Sequence, residues 1–95
     1  MHQVIFKPRA EKFFARMDKI NQQRMIIKME QLRHDPFQKS NIKKISGTER
    51  GYRLRMGRYR ILFSLYSDQA LIEAVDIFIE KGKNDYLIRR GLFAF

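Results

Sequence analysis

The chain contains no cysteine, only two prolines and only ten acidic residues among its 95 amino acids. Without cysteine it can form no disulfide framework, no thiolate metal site and no cysteine nucleophile, which suits a reducing compartment, and we expect a cytoplasmic location. No apolar run is long enough to span a bilayer, and the first residues lack the basic-then-apolar layout of a signal peptide. We therefore expect no membrane partner. A chain of 95 residues leaves room for only one core, which predicts a single domain over residues 1–95.

Several kinds of catalytic centre are also missing. The two histidines, His2 and His34, do not form a metal-binding pair, and no paired-carboxylate spacing or glycine-rich phosphate loop is present. A metal site would have to use Glu73, Asp76 or Glu80 without help from histidine. We therefore expect neither a metal nor a small-molecule cofactor.

Positive charge is abundant: 20 Lys and Arg residues give a formal net charge of +10. Self-repulsion of this size destabilises a compact chain, so an anionic partner is the natural explanation. The candidates are nucleic acid, an acidic protein and an anionic membrane surface, and the sequence favours them in that order.

The first half of the chain has the pattern of one strand and two helices. Val4 to Phe6 is a short β-favouring run, and Pro8 suits the first turn of a helix. Two apolar stripes then follow at helical spacing. The first is Ala10, Phe13, Phe14 and Met17, and the second is Met25, Met29 and Leu32, widened by Ile26 and Ile27. Asp35-Pro36 ends the second helix, because the residue before proline is pushed out of the α region.

The second half alternates with a period of two. Residues 37–48 are predicted to be a polar connector, which includes Lys39, and strands follow at 52–56, 59–66 and 71–79. The last strand is apolar on nearly both faces, as in the interior of a sheet. The chain then leaves the sheet and ends on an apolar tail, residues 92–95, which docks on the sheet or on a partner. The predicted fold is α+β, of order β-α-α-β-β-β, with an antiparallel-rich twisted sheet packed against a helical hairpin.

The basic hairpin is the most informative feature. Gly57-Arg58 forms the two-residue turn, because glycine suits its first central position. This turn places Arg55 opposite Arg60, and alternation places Arg53 on the same face. Leu54, Met56, Tyr59 and Ile61 then face the helices. Opposed like charges are destabilising across a strand pair, and arginine matches phosphate in a bidentate way. The face is therefore either a phosphate site or an arginine-rich surface that is merely solvated.

The tyrosines divide by position. Alternation predicts that Tyr52 and Tyr59 point inward and belong to the core. Tyr66 and Tyr86 lie near turns, where an aromatic ring can stack on a base.

The chain contains two motifs in succession, Lys43-Lys44-Ile45-Ser46-Gly47 and Tyr52-Arg53-Leu54-Arg55-Met56-Gly57-Arg58-Tyr59-Arg60-Ile61-Leu62-Phe63. Together they resemble the core pattern of the RelE/ParE superfamily of bacterial toxin–antitoxin toxins. The order of elements matches over almost the whole chain. RelE-like members are ribosome-dependent endoribonucleases that cut messenger RNA, whereas ParE-like members inhibit DNA gyrase without nuclease chemistry.

The resemblance implies a set of catalytic residues by position: Arg53, Arg55, Arg60, Lys81, Lys83 and Tyr86. To these we add three RNA-binding candidates: Lys43, Lys44 and Arg58. The family's lysines on the second strand are arginines here, and the basic residue after the last strand is a lysine. The implied reaction is attack of a 2′-hydroxyl on the adjacent phosphate. Arginine stays protonated and is a poor base, so a lysine or Glu80 is the better candidate for general base.

The resemblance also implies partners, namely messenger RNA on the ribosome and a cognate acidic antitoxin that masks the basic face. Retention of Tyr86 and a basic residue after the sheet favours the nuclease branch. Two alternatives stay open: a gyrase inhibitor of the ParE type, and a degenerate member that binds RNA or antitoxin without chemistry.

Overall fold

The computed structural model describes residues 1–37 and 41–93, so Lys39 and the last two residues of the apolar tail lie outside the described residues. The elements in chain order are β1 (Gln3–Phe6), α1 (Pro8–Arg16), α2 (Lys19–His34), β2 (Ile42–Lys44), β3 (Gly51–Met56), β4 (Tyr59–Tyr66), β5 (Leu71–Ile79) and α3 (Asn84–Arg89). Short 3₁₀ turns follow β4 and α3, at Ser67–Gln69 and Arg90–Phe93.

The strands form one mixed sheet in the order β1-β5-β4-β3-β2. β1 pairs with β5 in parallel, and every other pairing is antiparallel. The predicted α+β class is confirmed, with β5 in the interior of the sheet. The connector predicted over residues 37–48 was wrong in part, because it contains β2. That strand is only three residues long, which is too short to show an alternation of apolar and polar residues. Its extended conformation is stabilised by pairing with β3.

The start of α1 and the end of α2 lie where the sequence predicts. Pro8 is at the start of α1, Asp18 caps α2 by accepting from the Asn21 N–H, and α2 ends just before Asp35-Pro36. α3 was not predicted, since six residues carry little periodicity. No helix within residues 1–37 and 41–93 has the length and apolar character needed to cross a membrane.

The core stripe of α2 is narrower than predicted. Met25, Met29 and Leu32 are buried, but Ile26 and Ile27 are 53% and 57% exposed. Successive residues are about 100° apart around a helix, so neither isoleucine shares the line of the buried stripe. Including them in the core was wrong.

The sheet separates two apolar clusters. The larger lies between the sheet and α1 and α2, and it includes Leu54, Met56, Tyr59 and Ile61, as predicted. Tyr52 packs against this cluster and stacks on Phe63. A smaller cluster lies on the opposite face of the sheet and is made of Ile45, Leu62, Val75 and Phe78, with Tyr86 and Phe93 packed against it.

The β3–β4 hairpin has the predicted register, in which Arg55 pairs with Arg60 and Met56 with Tyr59. Gly57 has φ +57°, while Arg58 keeps a negative φ. That combination is the one expected of a type II′ turn. Because the turn sets which residues pair, it also sets the face on which the hairpin arginines gather.

Candidate nucleic-acid interface

A basic cleft of about 260 Å³ opens on the face of the sheet opposite α1 and α2. Its lining residues are Asn41, Lys43, Arg53, Arg55, Arg60 and Glu80. The pairings Lys43 with Arg53 and Arg55 with Arg60 bring these side chains together, because directly paired residues project from the same face of a sheet. We call this site the basic cleft. Its four cations surround a single carboxylate.

Arg60 is the most constrained of the four cations. Its Nη1 donates to the carbonyl oxygens of Gly57 and Tyr59, at 2.7 and 2.9 Å, and its Nη2 lies 3.2 Å from the Glu80 carboxylate. Only 11% of the Arg60 side chain is exposed. The guanidinium is therefore held in place before any ligand arrives, which is the arrangement that electrostatic catalysis needs.

Arg53 joins the basic cleft to α3. Its guanidinium lies 4.0 Å from Glu80 and 4.9 Å from the centre of the Tyr86 ring. Arg55 and Lys43 have no ion-pair partner within the part of the chain that the structure describes. Two of the four cations thus keep their charge available for an incoming anion.

Glu80 is ionised in this setting. The neighbouring Tyr86 hydroxyl, followed by Arg60 and Arg53, holds the pKa of Glu80 below its ordinary value and outweighs the opposing effect of burial. For Tyr86 the direction is reversed, since burial and then the Glu80 carboxylate raise the pKa of its hydroxyl against the opposing effect of Arg53. The Tyr86 hydroxyl is buried and acts on Glu80 at close range, although no fully formed hydrogen bond joins it to another described residue. The basic cleft therefore holds a charged Glu80 beside a neutral phenol.

α3, which carries Tyr86, is anchored through Asp76. The Asp76 side chain is only 4% exposed and binds Arg9 of α1 at 3.0 Å and Arg89 of α3. The Arg89 guanidinium also lies 3.9 Å from the centre of the Phe78 ring. Tyr86 meets the same ring edge to face, with 5.7 Å between ring centres. Asp76 is thus engaged as a structural ion-pair partner, and within residues 1–37 and 41–93 no three acidic or histidine side chains group as metal ligands do.

No protein-family model and no curated protein sequence matches the chain. Solved structures do. The isolated Escherichia coli RelE toxin has a TM-score of 0.75 at 14% identity, over 96% of this chain and 97% of that chain. The archaeal RelE–RelB complex from Pyrococcus horikoshii OT3 matches with a TM-score of 0.72 at 21% identity, over 82% and 93%. The antitoxin–toxin complex from Methanococcus jannaschii matches with a TM-score of 0.69 at 25% identity, over 86% and 96%.

The chain has the RelE fold. The predicted resemblance to the RelE/ParE superfamily is thereby confirmed at the level of the fold. At identities of 14 to 25%, the chemistry of the site has to be argued from the side chains of this chain.

This RelE-like fold brings together only part of the predicted site. Arg53, Arg55, Arg60 and Lys43 line the basic cleft, and Tyr86 reaches it through Arg53. The remaining four predicted residues neither line the cleft nor contact it in this way: Lys44, Arg58, Lys81 and Lys83. The structure does not bring those four residues into the basic cleft, and their roles as site residues stay predictions.

Each of these displacements has a local cause. Lys44 pairs with Tyr52, so it lies on the helix side of the sheet. Arg58 is at the exposed tip of the hairpin. Lys81 and Lys83 are exposed in the segment after β5, where the backbone N–H of Lys81 donates to the Asp85 carboxylate at 2.7 Å.

Tyr66 and Tyr86 are also less free than predicted for base stacking. The Arg50 guanidinium lies 5.3 Å from the centre of the Tyr66 ring, and Arg53 and Phe78 cover Tyr86. Asn41 was not predicted, because the predicted connector offers no pattern that singles it out. Glu80 was predicted as a candidate base without a position in the site. Glu80 lies two residues after Phe78, which pairs with Arg60, so strand alternation places it on the same face of the sheet as Arg60.

Proposed function

We propose that this chain is the toxin of a type II toxin–antitoxin system and that it cleaves messenger RNA bound to the ribosome, in the cytoplasm. The observation that carries the proposal is the basic cleft, in which four cations surround one ionised carboxylate. The fold shared with solved RelE toxins and RelE–RelB complexes supports the same assignment.

The side chains of the basic cleft suit an RNA phosphate. Arg55 and Lys43 carry charge that no acidic residue among those described neutralises, so a phosphate oxygen gains two attractive contacts on entering. Arg60 is already oriented, and the planar guanidinium forks of the three arginines match phosphate geometry. An extended single strand can bring one phosphate into a cleft of this size, whereas a duplex is bulkier.

The proposed reaction uses a nucleophile that the substrate carries. The 2′-oxygen attacks the adjacent phosphorus, the bond from phosphorus to the 5′-oxygen breaks, and the products are a 2′,3′-cyclic phosphate and a 5′-hydroxyl. An internal nucleophile is held beside the phosphorus and needs only deprotonation and charge stabilisation. Arg53, Arg55 and Arg60 stabilise the charge that builds on the non-bridging oxygens.

Two protons move in this reaction. Glu80 is the group in the basic cleft that can accept the proton of the 2′-hydroxyl, because arginine stays protonated and Lys81 and Lys83 lie outside the cleft. The Lys43 ammonium is a donor for the departing 5′-oxygen. Tyr86 supports Arg53 and Glu80 from beneath. We therefore assign the general base to Glu80 and not to the lysines after β5.

The decisive substrate is a message with a single deoxynucleotide immediately 5′ of the scissile phosphate, programmed into ribosomes. We expect it to bind and resist cutting, while the unmodified message yields a 2′,3′-cyclic phosphate. The same unmodified message without ribosomes is the control for ribosome dependence. Efficient cutting of the deoxy substrate contradicts the mechanism. Intact messages combined with blocked gyrase supercoiling would move the assignment to the ParE type, and intact messages with unaffected gyrase to a degenerate binding member.

We also propose a cognate acidic antitoxin as the protein partner. The net charge of +10 supports it, as do the neighbours that are RelE bound to RelB. A small acidic protein encoded beside this gene is the candidate, and its co-expression should restore growth to cells that produce the chain. Failure of every adjacent reading frame to restore growth contradicts this part of the proposal.

A further inference from the structure

A second basic groove lies where α1, β5 and α3 meet. β1 pairs only with the first part of β5 and ends opposite Ala74, so α1 flanks the second part of β5 in place of a strand. The space there is a groove of about 290 Å³. Its charged lining residues are Arg9, Lys12 and Arg16 of α1, Asp76 of β5 and Arg89 of α3. We call this site the α1 groove.

The charges of the α1 groove do not balance. Its single carboxylate, that of Asp76, is buried and already engaged by Arg9 at 3.0 Å and by Arg89. Lys12 and Arg16 are both exposed, and neither pairs with an acidic side chain in the part of the chain that the structure describes. Four cations thus share one carboxylate in the groove, and two of them keep their charge available for an anion.

The three cations of α1 lie along one side of the helix. Arg9, Lys12 and Arg16 are three and four residues apart in turn, and this spacing places side chains on the same face. Like charges at this spacing repel one another and destabilise a helix. An anion between the side chains relieves that repulsion, so the free protein is arranged to bind one.

The α1 groove suits phosphate groups better than bases. Its two aromatic rings are engaged within the protein: the Arg89 guanidinium lies 3.9 Å from the centre of the Phe78 ring, and Phe13 packs edge to face on Tyr59 with 6.2 Å between ring centres. The exposed part of the groove is positive charge on long side chains. Such side chains contact a phosphate backbone without reading its sequence.

The α1 groove adjoins the basic cleft. Phe78 lines the groove and pairs across the sheet with Arg60, which lines the cleft. Neighbouring strands are about 5 Å apart, and paired residues project from the same face, so the two sites meet on one face of the sheet. They share no lining residue. An RNA strand with one phosphate in the basic cleft can therefore bring a nearby phosphate to the α1 groove.

We propose that the α1 groove is a second phosphate subsite, which holds the backbone of the same RNA strand a few nucleotides away from the phosphate in the basic cleft. Lys12 and Arg16 contact the strand, while Arg9 and Arg89 stay bound to Asp76 and add positive potential. The identity of this strand as the cleaved message rests on the proposed function. Because the subsite does not touch the reacting atoms, it strengthens binding and leaves the rate of the chemical step unchanged.

RNA length is the variable that tests this subsite. The full chain is titrated with non-cleavable RNAs that carry one deoxynucleotide next to the target phosphate and are about three or about ten nucleotides long, the longer being within the site sizes of single-strand-binding domains. We expect the longer RNA to bind at least about tenfold more tightly. The double variant Lys12→Ala/Arg16→Ala should remove most of that advantage and lower the salt slope of the longer RNA by about 1.4, or about 0.7 for each phosphate contact. Binding of the shorter RNA should not change.

The matched control is Lys19→Ala/Arg24→Ala, which removes the same charge from exposed positions of α2 outside both sites. This control should keep the advantage of the longer RNA. Urea denaturation checks that both double variants are folded. A photoreactive thiouridine, moved one nucleotide at a time away from the deoxynucleotide, should crosslink to α1 at an offset of a few nucleotides and on one side only.

Several outcomes overturn the proposal. Equal affinity for the two RNA lengths contradicts the subsite, as does equal weakening by the two double variants. Crosslinks to α1 at every offset, or at none, contradict a fixed path from the basic cleft to the groove. Weaker binding of the Lys12/Arg16 variant to ribosomes, with unchanged binding of the longer RNA, would assign the groove to a separate RNA segment. Loss of pyrophosphate binding, again with unchanged RNA binding, would assign it to a small free anion.

Failure of the subsite and failure of the proposed function give different results. Lys12→Ala/Arg16→Ala leaves the basic cleft intact, so it should cut ribosome-bound messages with an unchanged kcat and a raised KM. Cleavage by a chain whose RNA affinity does not depend on length removes the subsite alone. Length-dependent binding through Lys12 and Arg16 without any cleavage keeps the subsite and removes the identification of the strand as a substrate.

Discussion

Arg60 and Glu80 form a 3.2 Å ion pair inside a cleft whose other charged side chains are all cationic. The pair joins the start of β4, beside the hairpin turn, to the residue just after β5. It places a carboxylate between Arg60 and Arg53, where an RNA phosphate would gain the same contacts. Glu80 is therefore both an internal counter-ion and, in the proposed reaction, the proton acceptor.

Arg60→Ala should impair turnover more than binding. Arg60 is held by two carbonyl oxygens and Glu80, so it meets developing charge without reorganising, and an interaction made in the transition state lowers kcat more than it raises KM. We expect cleavage on ribosomes to fall roughly a hundredfold and RNA affinity to change only a few-fold. Arg58→Ala, at the exposed turn, is the control and should retain activity. A parallel fall in affinity and rate would make Arg60 an ordinary binding residue.

Glu80→Gln should strengthen RNA binding and slow cleavage. The amide keeps the shape but removes the negative charge between Arg53 and Arg60, so affinity for a non-cleavable deoxy substrate should rise severalfold. Cleavage should fall at least about a hundredfold, within the range for loss of a general base. Glu49→Gln, at an exposed carboxylate outside the cleft, is the matched control. Full cleavage by the Glu80 variant contradicts the role of Glu80 as base.

The pH dependence of single-turnover cleavage should identify the base. The pKa of Glu80 is held below its ordinary 4.5 by Tyr86, Arg60 and Arg53. The acceptor is thus ionised throughout the neutral range, and protonation removes it only when the pH falls through that lowered pKa. We expect a nearly flat rate between about pH 6 and 8. A lysine base would instead give a rate that rises about tenfold per pH unit toward about pH 10.

Salt dependence should distinguish the two neighbouring lysines of β2. Lys43 lines the basic cleft, whereas Lys44 pairs with Tyr52 on the opposite face. Single-stranded RNA binding loses about 0.7 in the slope of log K against log salt for each phosphate contact removed. Lys43→Ala, Arg53→Ala and Arg55→Ala should each reduce the slope by about that amount, and Lys44→Ala should leave it unchanged. A salt-independent affinity would remove the phosphate site.

Asp76→Asn should loosen α3. The buried carboxylate binds Arg9 and Arg89 from two different helices, and its loss leaves the largely buried Arg89 guanidinium without that partner. We expect the free energy of unfolding to fall by about 2 kcal/mol, less than for a fully buried pair because Arg9 is 56% exposed. Urea denaturation measures the loss, and faster amide exchange in α3 locates it. Asp68→Asn, at an exposed site, is the control, and an equal effect there would contradict the anchoring role.

The hairpin was predictable from sequence because its determinants are local. The alternation of Leu54 and Met56 with Arg53 and Arg55 sets the two faces, and Gly57 sets the turn. Together they specify that Arg55 pairs with Arg60 before anything else in the chain is known. The end of α2 was predictable for the same reason, since Pro36 acts within one helical turn.

The tertiary structure decided which other residues join those arginines. Lys43 and Lys44 are equivalent in sequence, and only the pairing of β2 with β3 puts one in the basic cleft and the other behind the sheet. Lys81 and Lys83 have the right charge, but the chain turns away after β5 and leaves Glu80 facing Arg60. Sequence by itself determined the charge of the site and the register of its hairpin, because both depend on near neighbours. Which distant residues meet there depended on strand pairing, which the local pattern does not encode.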